Sequence, residues 1–298
     1  MRTPYLMAAL ACASLLAACG GGGDAPATDP VTPPLAPVVA TSTMTTPALT
    51  GFRSVACGNG VTCLDAVADS SGKFTMVVNG TLDIYVGPLK VMSAVDTSSA
   101  VTSVAAFSAT ADENDPTFVN EMTLLYSLDS DGDPTNGIDI DAAAQTAMAS
   151  LPYSSIRFDV TPDAFVANPA VQTVIDGINA IKSKPGVSLT VKNPAQVKET
   201  LRRLFINQRW GGTWTMTMDD SSSTTQTFTV SDSGQAAVTN GPSFQLDTTS
   251  KTQAPFRFND MTLGSFTGTL KSDGTGSGQW SRVGSQSGAG HWTAKRAN

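Results

Sequence analysis

The hydrophobic period changes twice along this chain, and that alternation limits the fold more than any other feature. Period two runs through Phe74-Thr75-Met76-Val77-Val78, Leu82-Asp83-Ile84-Tyr85-Val86 and Leu89-Lys90-Val91-Met92, with Ser71-Gly72, Asn79-Gly80 and Gly87-Pro88 between. Short antiparallel strands follow, and Asn79-Gly80 suits a tight hairpin because both positions tolerate positive φ. From residue 115 the spacing becomes helical. Asp115-Pro116, Asn168-Pro169 and Asn193-Pro194 each set a capping side chain before a proline at the first helical position. Apolar stripes follow at Phe118, Met122 and Leu125; at Val171, Val174, Ile175 and Ile178; and at Val197, Leu201, Leu204 and Phe205. These stripes predict a shared core, while Glu199 and Arg203 predict a solvated i,i+4 pair.

From Trp210 onward period two returns, in eight short candidates between Thr213 and Ala294. Turn clusters such as Asp232-Ser233-Gly234 and Ser272-Asp273-Gly274 space them as a meander that closes on itself. The expected fold class is α+β: an N-terminal module of short antiparallel strands followed by helices, then a C-terminal antiparallel β-barrel or sandwich of about eight strands. At 298 residues the chain has room for about two such domains.

The first fifty residues read differently. Arg2 and an apolar run from Leu6 to Ala18, too short to span a bilayer, form an export signal. It ends Leu16-Ala17-Ala18-Cys19-Gly20, which resembles the lipobox of bacterial lipoproteins. The resemblance implies cleavage before Cys19, a lipid on that cysteine and, with Gly20 rather than Asp following, the outer membrane, facing either the periplasm or the cell surface. Residues 20 to 50 are mostly Gly, Pro, Ala and Thr, a tether expected to reach tens of ångströms at about 3 Å per residue. The expected organisation is a signal over 1–18, a tether with lipidated Cys19 over 19–50, an α+β module over 51–207 and the barrel-like module over 208–298.

With Cys12 in the signal and Cys19 lipidated, Cys57 and Cys63 remain, and an oxidising envelope predicts a disulfide between them. No Cys-x-x-Cys spacing points to redox work. The net charge of −7 argues against a nucleic-acid partner. The membrane, through the lipid, and a protein or glycan of the envelope are the expected partners.

Leu128-Asp129-Ser130-Asp131-Gly132-Asp133-Pro134-Thr135-Asn136-Gly137-Ile138 is the most chemical-looking segment. Asp129, Asp131, Asp133 and Asn136 offer hard oxygen ligands of the kind Ca²⁺ takes, and no other cofactor is implied. The EF-hand register fails, since Pro134 stands at its sixth position and Ile140 at its twelfth. An Asx-rich turn is the competing reading. The helix running into this loop resembles the hallmark of a group of proteobacterial envelope lipoproteins, Leu-Asp-x-Asp-Gly-(Asn/Asp)-Pro-x-Asn-Gly-Ile. That likeness spans roughly residues 55 to 141 and implies an address and a fold but no activity.

Gly-x-aromatic recurs as Gly212-x-Trp214, Gly264-x-Phe266, Gly278-x-Trp280 and Gly290-x-Trp292. Barrel-corner packing is one explanation. The sharper one makes Trp214, Trp280, Trp292 and Arg296 an aromatic ligand mouth, with Arg296 over Trp214 as in lipocalin-like barrels. Catalytic signatures are missing: Gly284-Ser285-Gln286-Ser287-Gly288 carries Gln where a nucleophile elbow has Ser, and His291 is the one histidine. A non-catalytic binding or structural role at the envelope is therefore expected. A hydrolase using paired Asp carboxylates and a barrel carrier of a small apolar ligand are the alternatives.

Overall fold

The computed structural model describes residues 38–297, apart from 59–60, 96, 109–111, 182–185, 261–263 and 283–286; the export signal and Cys19 lie outside the described residues. The chain opens with β1 (Val39–Thr43) and β2 (Leu49–Thr50). It continues through β3 (Arg53–Gly58), β4 (Val61–Val67), β5 (Lys73–Val77), β6 (Thr81–Val86) and β7 (Leu89–Ser93). Residues 39–50, expected to be tether, are therefore structured. Met44 and Leu49 are buried, and β1 pairs antiparallel with β5 from Val39↔Val77 to Thr43↔Lys73.

That pairing revises the expected hairpin at Asn79-Gly80. The turn is present, with Asn79 at φ 57° and Gly80 N–H donating to the Val77 carbonyl at 3.1 Å. The strands it joins belong to different sheets, because β1 occupies β5 while β6 pairs with β3 and β7. The four-stranded sheet runs β4-β3-β6-β7. Cys57 and Cys63 are disulfide-bonded across the β3–β4 hairpin, as expected, with Cα atoms 4.3 Å apart.

The helices begin where the capping pairs predict. Asp115, Asn168 and Asn193 open α1 (Pro116–Ser127), α4 (Pro169–Asn179) and α5 (Pro194–Trp210), each accepting from first-turn N–H groups that have no helical partner. Between them lie β8 (Ile138–Asp139), α2 (Ala142–Ala147) and α3 (Pro162–Val166), the last opened by Thr161-Pro162 in the same manner. Helix α1 is buried almost throughout and stacks Phe118 on Phe205 of α5, ring centroids 6.0 Å apart.

Eight antiparallel strands then form a nearly closed barrel-like sheet: β9 (Gly212–Met218), β10 (Thr225–Val230), β11 (Gln235–Val238), β12 (Ser243–Gln245), β13 (Gln253–Asp260), β14 (Gly264–Lys271), β15 (Thr275–Arg282) and β16 (Gly288–Arg296). Its order is β12-β11-β10-β9-β16-β15-β14-β13, so the first strand of the module pairs with the last. Alternation sends Trp214, Met216 and Met218 inward and Thr213 and Thr215 outward. Two hydrophobic cores result, one spanning Met44 to Phe205 and one Ile206 to Ala294. The boundary expected between residues 207 and 208 falls inside α5. Leu201 and Phe205 of that helix enter the first core, while Ile206 and Trp210 enter the second.

Candidate functional site

Helix α5 serves both cores and still leaves one polar face uncovered. Gln196, Glu199, Thr200, Arg203 and Asn207 recur at helical spacing along that face and line a groove of about 1030 Å³. Thr45–Ala48 and the loop Thr135–Gly137 form other parts of its wall, with Tyr126 of α1, and Asp232 from the β10–β11 turn closes one end. Both halves of the fold thus contribute to the groove.

Charge within it is largely cancelled. Glu199 accepts from Arg202 Nε at 2.7 Å and Nη2 at 2.8 Å, and from Arg203 Nε at 2.8 Å. These hydrogen bonds, Arg202's first, hold the Glu199 carboxyl down to about 2. It is therefore a fixed anion and a poor proton donor at neutral pH. The Glu199 and Arg203 pair is present as expected, and Arg202 joins it. The Tyr126 hydroxyl is raised by burial and remains a neutral hydrogen-bonding group.

The Asp-rich loop forms the Asx-rich turns of the competing reading. Asp131 Oδ1 accepts from Asp133 N–H at 2.9 Å, and Asp131 Oδ2 from Asn136 Nδ2 at 3.0 Å. Asp133 Oδ1 takes the Thr135 N–H and hydroxyl. Asp129 is buried and accepts from the Asp139 N–H at 2.9 Å, pinning β8 to the end of α1. Asp131 and Asp133 are thus engaged within their own turns, while Asp129 Oδ2 is buried without a hydrogen-bond partner; among the described residues no three His, Cys, Asp or Glu side chains gather in a metal-holding group. Burial pushes the Asp129 carboxyl up to about 6, and Asp131 and Asp139 add like charge. Lys192 Nζ donates to the Gly132 carbonyl at 2.9 Å, bringing a positive charge to the loop.

The residues of the expected aromatic mouth divide between the barrel core and a surface cleft. Trp214 and Trp292 are essentially fully buried, and rings fill the barrel around them. Trp214 stacks on Phe228 at 6.2 Å, and Trp292 lies 5.3 Å from Phe256, which with Phe244, Phe258 and Phe266 continues the cluster. A Cβ on Gly268 or Gly278 would collide with the Trp292 ring, so these glycines make room for the indole. Arg296 does lie over Trp214, at 5.9 Å, but its Nη1 donates to the Gln208 and Arg209 carbonyls at the end of α5. It closes the barrel against the helix. Trp280 borders a second cleft on the outer wall, where its Nε1 donates to Asp219 Oδ1 at 3.0 Å.

The α5 groove was not recognisable in sequence, although the polar recurrence at Gln196, Thr200, Arg203 and Asn207 is its one local signal. Asp219 carried none, because the strands that surround it are distant in the chain. Comparison with protein-family models, with curated proteins and with solved structures returned no match.

Proposed function

We propose that this protein is an outer-membrane lipoprotein, held by lipid on Cys19, with a non-catalytic binding role at the cell envelope. The observation that carries the binding role is the groove along α5, whose size suits a small-molecule or segment-sized ligand and whose walls mix amide, hydroxyl and apolar groups. Its one glutamate is locked by two guanidinium groups, which favours recognition over acid–base chemistry. The signal and the Leu16-Ala17-Ala18-Cys19 sequence support the address. The aromatic filling of the barrel weighs against an apolar-ligand carrier.

The test expresses the full chain and its Cys19→Ser variant in a bacterial host, followed by membrane flotation and intact-mass measurement. The expected result is a mature chain that starts at Cys19, carries acyl mass and floats with outer membranes, and a variant that does not float. A mature chain without acyl mass, recovered in the soluble fraction, would overturn the address.

A further inference from the structure

On the outer wall of the barrel a single row of polar side chains crosses four strands in register. Arg257 of β13 faces Thr267 of β14, Thr267 faces Gln279 of β15, and Gln279 faces His291 of β16. All four are exposed. Ser265 and Ser281 form the next row, and with Thr267, Gln279, Trp280, Ala289, Gly290 and His291 they line a cleft of about 490 Å³; Arg257 lies outside it.

Asp219, just past the end of β9, stands beside His291. Its Oδ1 is fixed by two donors, the Trp280 indole at 3.0 Å and the His291 backbone N–H at 2.7 Å. Those hydrogen bonds, Trp280's first, hold its carboxyl below the usual range, so it is ionised. Its Oδ2 faces His291 Nδ1 at 3.6 Å. That separation is too long for a hydrogen bond, yet one hydroxyl oxygen seated to the side of the pair, about 2.8 Å from each atom, reaches both. Gly290 keeps the carboxylate in place, because a Cβ there would collide with Asp219 Oδ1.

We propose that this cleft binds a neutral saccharide, with one sugar hydroxyl bridging Asp219 Oδ2 and His291 Nδ1 and its neighbours meeting Gln279, Thr267 and Ser281. Sugar hydroxyls each donate and accept, and Ser, Thr and Gln side chains do the same. The described residues that line the cleft include no Lys, Arg, Asp or Glu; Asp219 stands at its edge beside His291, and Arg282 is drawn over the Trp280 ring at 5.4 Å, so one charge of each sign lies near it and a ligand of either net charge gains little. Strands β14, β15 and β16 are paired along both edges, which leaves no backbone ladder for an added peptide strand.

The experiment titrates the full chain with cellotetraose, maltotetraose and chitotetraose, using saturation-transfer NMR and tryptophan fluorescence. At least one should bind in the millimolar range or tighter. Asp219→Asn should weaken it about tenfold, the usual loss for a hydrogen bond to a charged group. Gln279→Ala, at an exposed position, should weaken it several-fold without change in melting temperature, and Glu199→Gln in the α5 groove should have no effect. Absence of binding by all three sugars, or affinity unchanged in both Asp219→Asn and Gln279→Ala, overturns the proposal. Affinity lost only in Glu199→Gln also overturns it, by placing the sugar in the other groove.

Discussion

Arg296, on the last strand, lies 5.9 Å from the ring of Trp214, on the first strand of the barrel, while the indole Nε1 of Trp214 donates to the Trp210 carbonyl at 2.8 Å. Arg296 in turn takes the carbonyls of Gln208 and Arg209. Both residues thus spend their polar groups on the last turn of α5, where unpaired carbonyls and the negative end of the helix dipole meet. Replacing Arg296 by Ala should lower stability by about 2 kcal/mol, the combined scale of a cation–π contact and charge-assisted hydrogen bonds. Lys should recover only part, lacking the planar fork. Urea unfolding followed by tryptophan emission measures both.

Gly278 and Gly268 flank the Trp292 indole on neighbouring strands. In Gly278→Ala the new methyl meets that ring and the Thr267 carbonyl, part of a paired ladder that cannot yield cheaply. A loss of about 2 to 3 kcal/mol is expected, with a changed near-ultraviolet dichroism from the displaced indole. Gly212→Ala, where a Cβ meets nothing nearby, should leave the indole signal unchanged even though its φ of 103° disfavours alanine.

Glu121 on α1 is pushed from an ordinary 4.5 up to about 8, first by burial and then by the charge of Asp115. The folded chain keeps the proton that the unfolded chain releases. Its contribution is therefore fully present below about pH 4.5 and is lost as pH rises through about 8. Glu121→Gln should flatten the decline of stability across that window, measured as unfolding midpoint against pH. An unchanged slope in the variant would assign the decline to another group.

For the Asp-rich loop, the thermal unfolding midpoint should be the same in millimolar Ca²⁺ and in chelator. Asp131→Asn should cost about 1 kcal/mol or less, since the amide oxygen still accepts from the turn. A midpoint that rises with Ca²⁺ would restore the metal reading.

What the sequence disclosed was local. Capping pairs such as Asn193-Pro194 located helix starts because the capping side chain acts within its own turn. The eight-strand meander was legible because each inward residue alternates with a polar one along a single strand. Pairing across distance was not. Nothing around Val39 to Thr43 announces that this short stretch completes β5, and the flanking Pro37 and Pro47 are of tether type. The same limit hid both clefts: Asp219 meets His291 only because β16 returns to β9, and the α5 groove needs Thr45–Ala48 as a wall. The Asp loop carried two readings in sequence. Its spacing matched a ligand set, but the shortest routes for those carboxylates led to backbone N–H groups two residues on.

The β1–β5 pairing also decides how this protein bears load. A pull on residue 38 does not meet a loose end, because the next five residues are hydrogen-bonded to β5. Tension directed along β1 strains those five rungs together as a shear, whereas a pull across the strand would open them one after another. The domain is thus gripped along a seam, and the direction of a pull on residue 38 sets how much force that seam withstands.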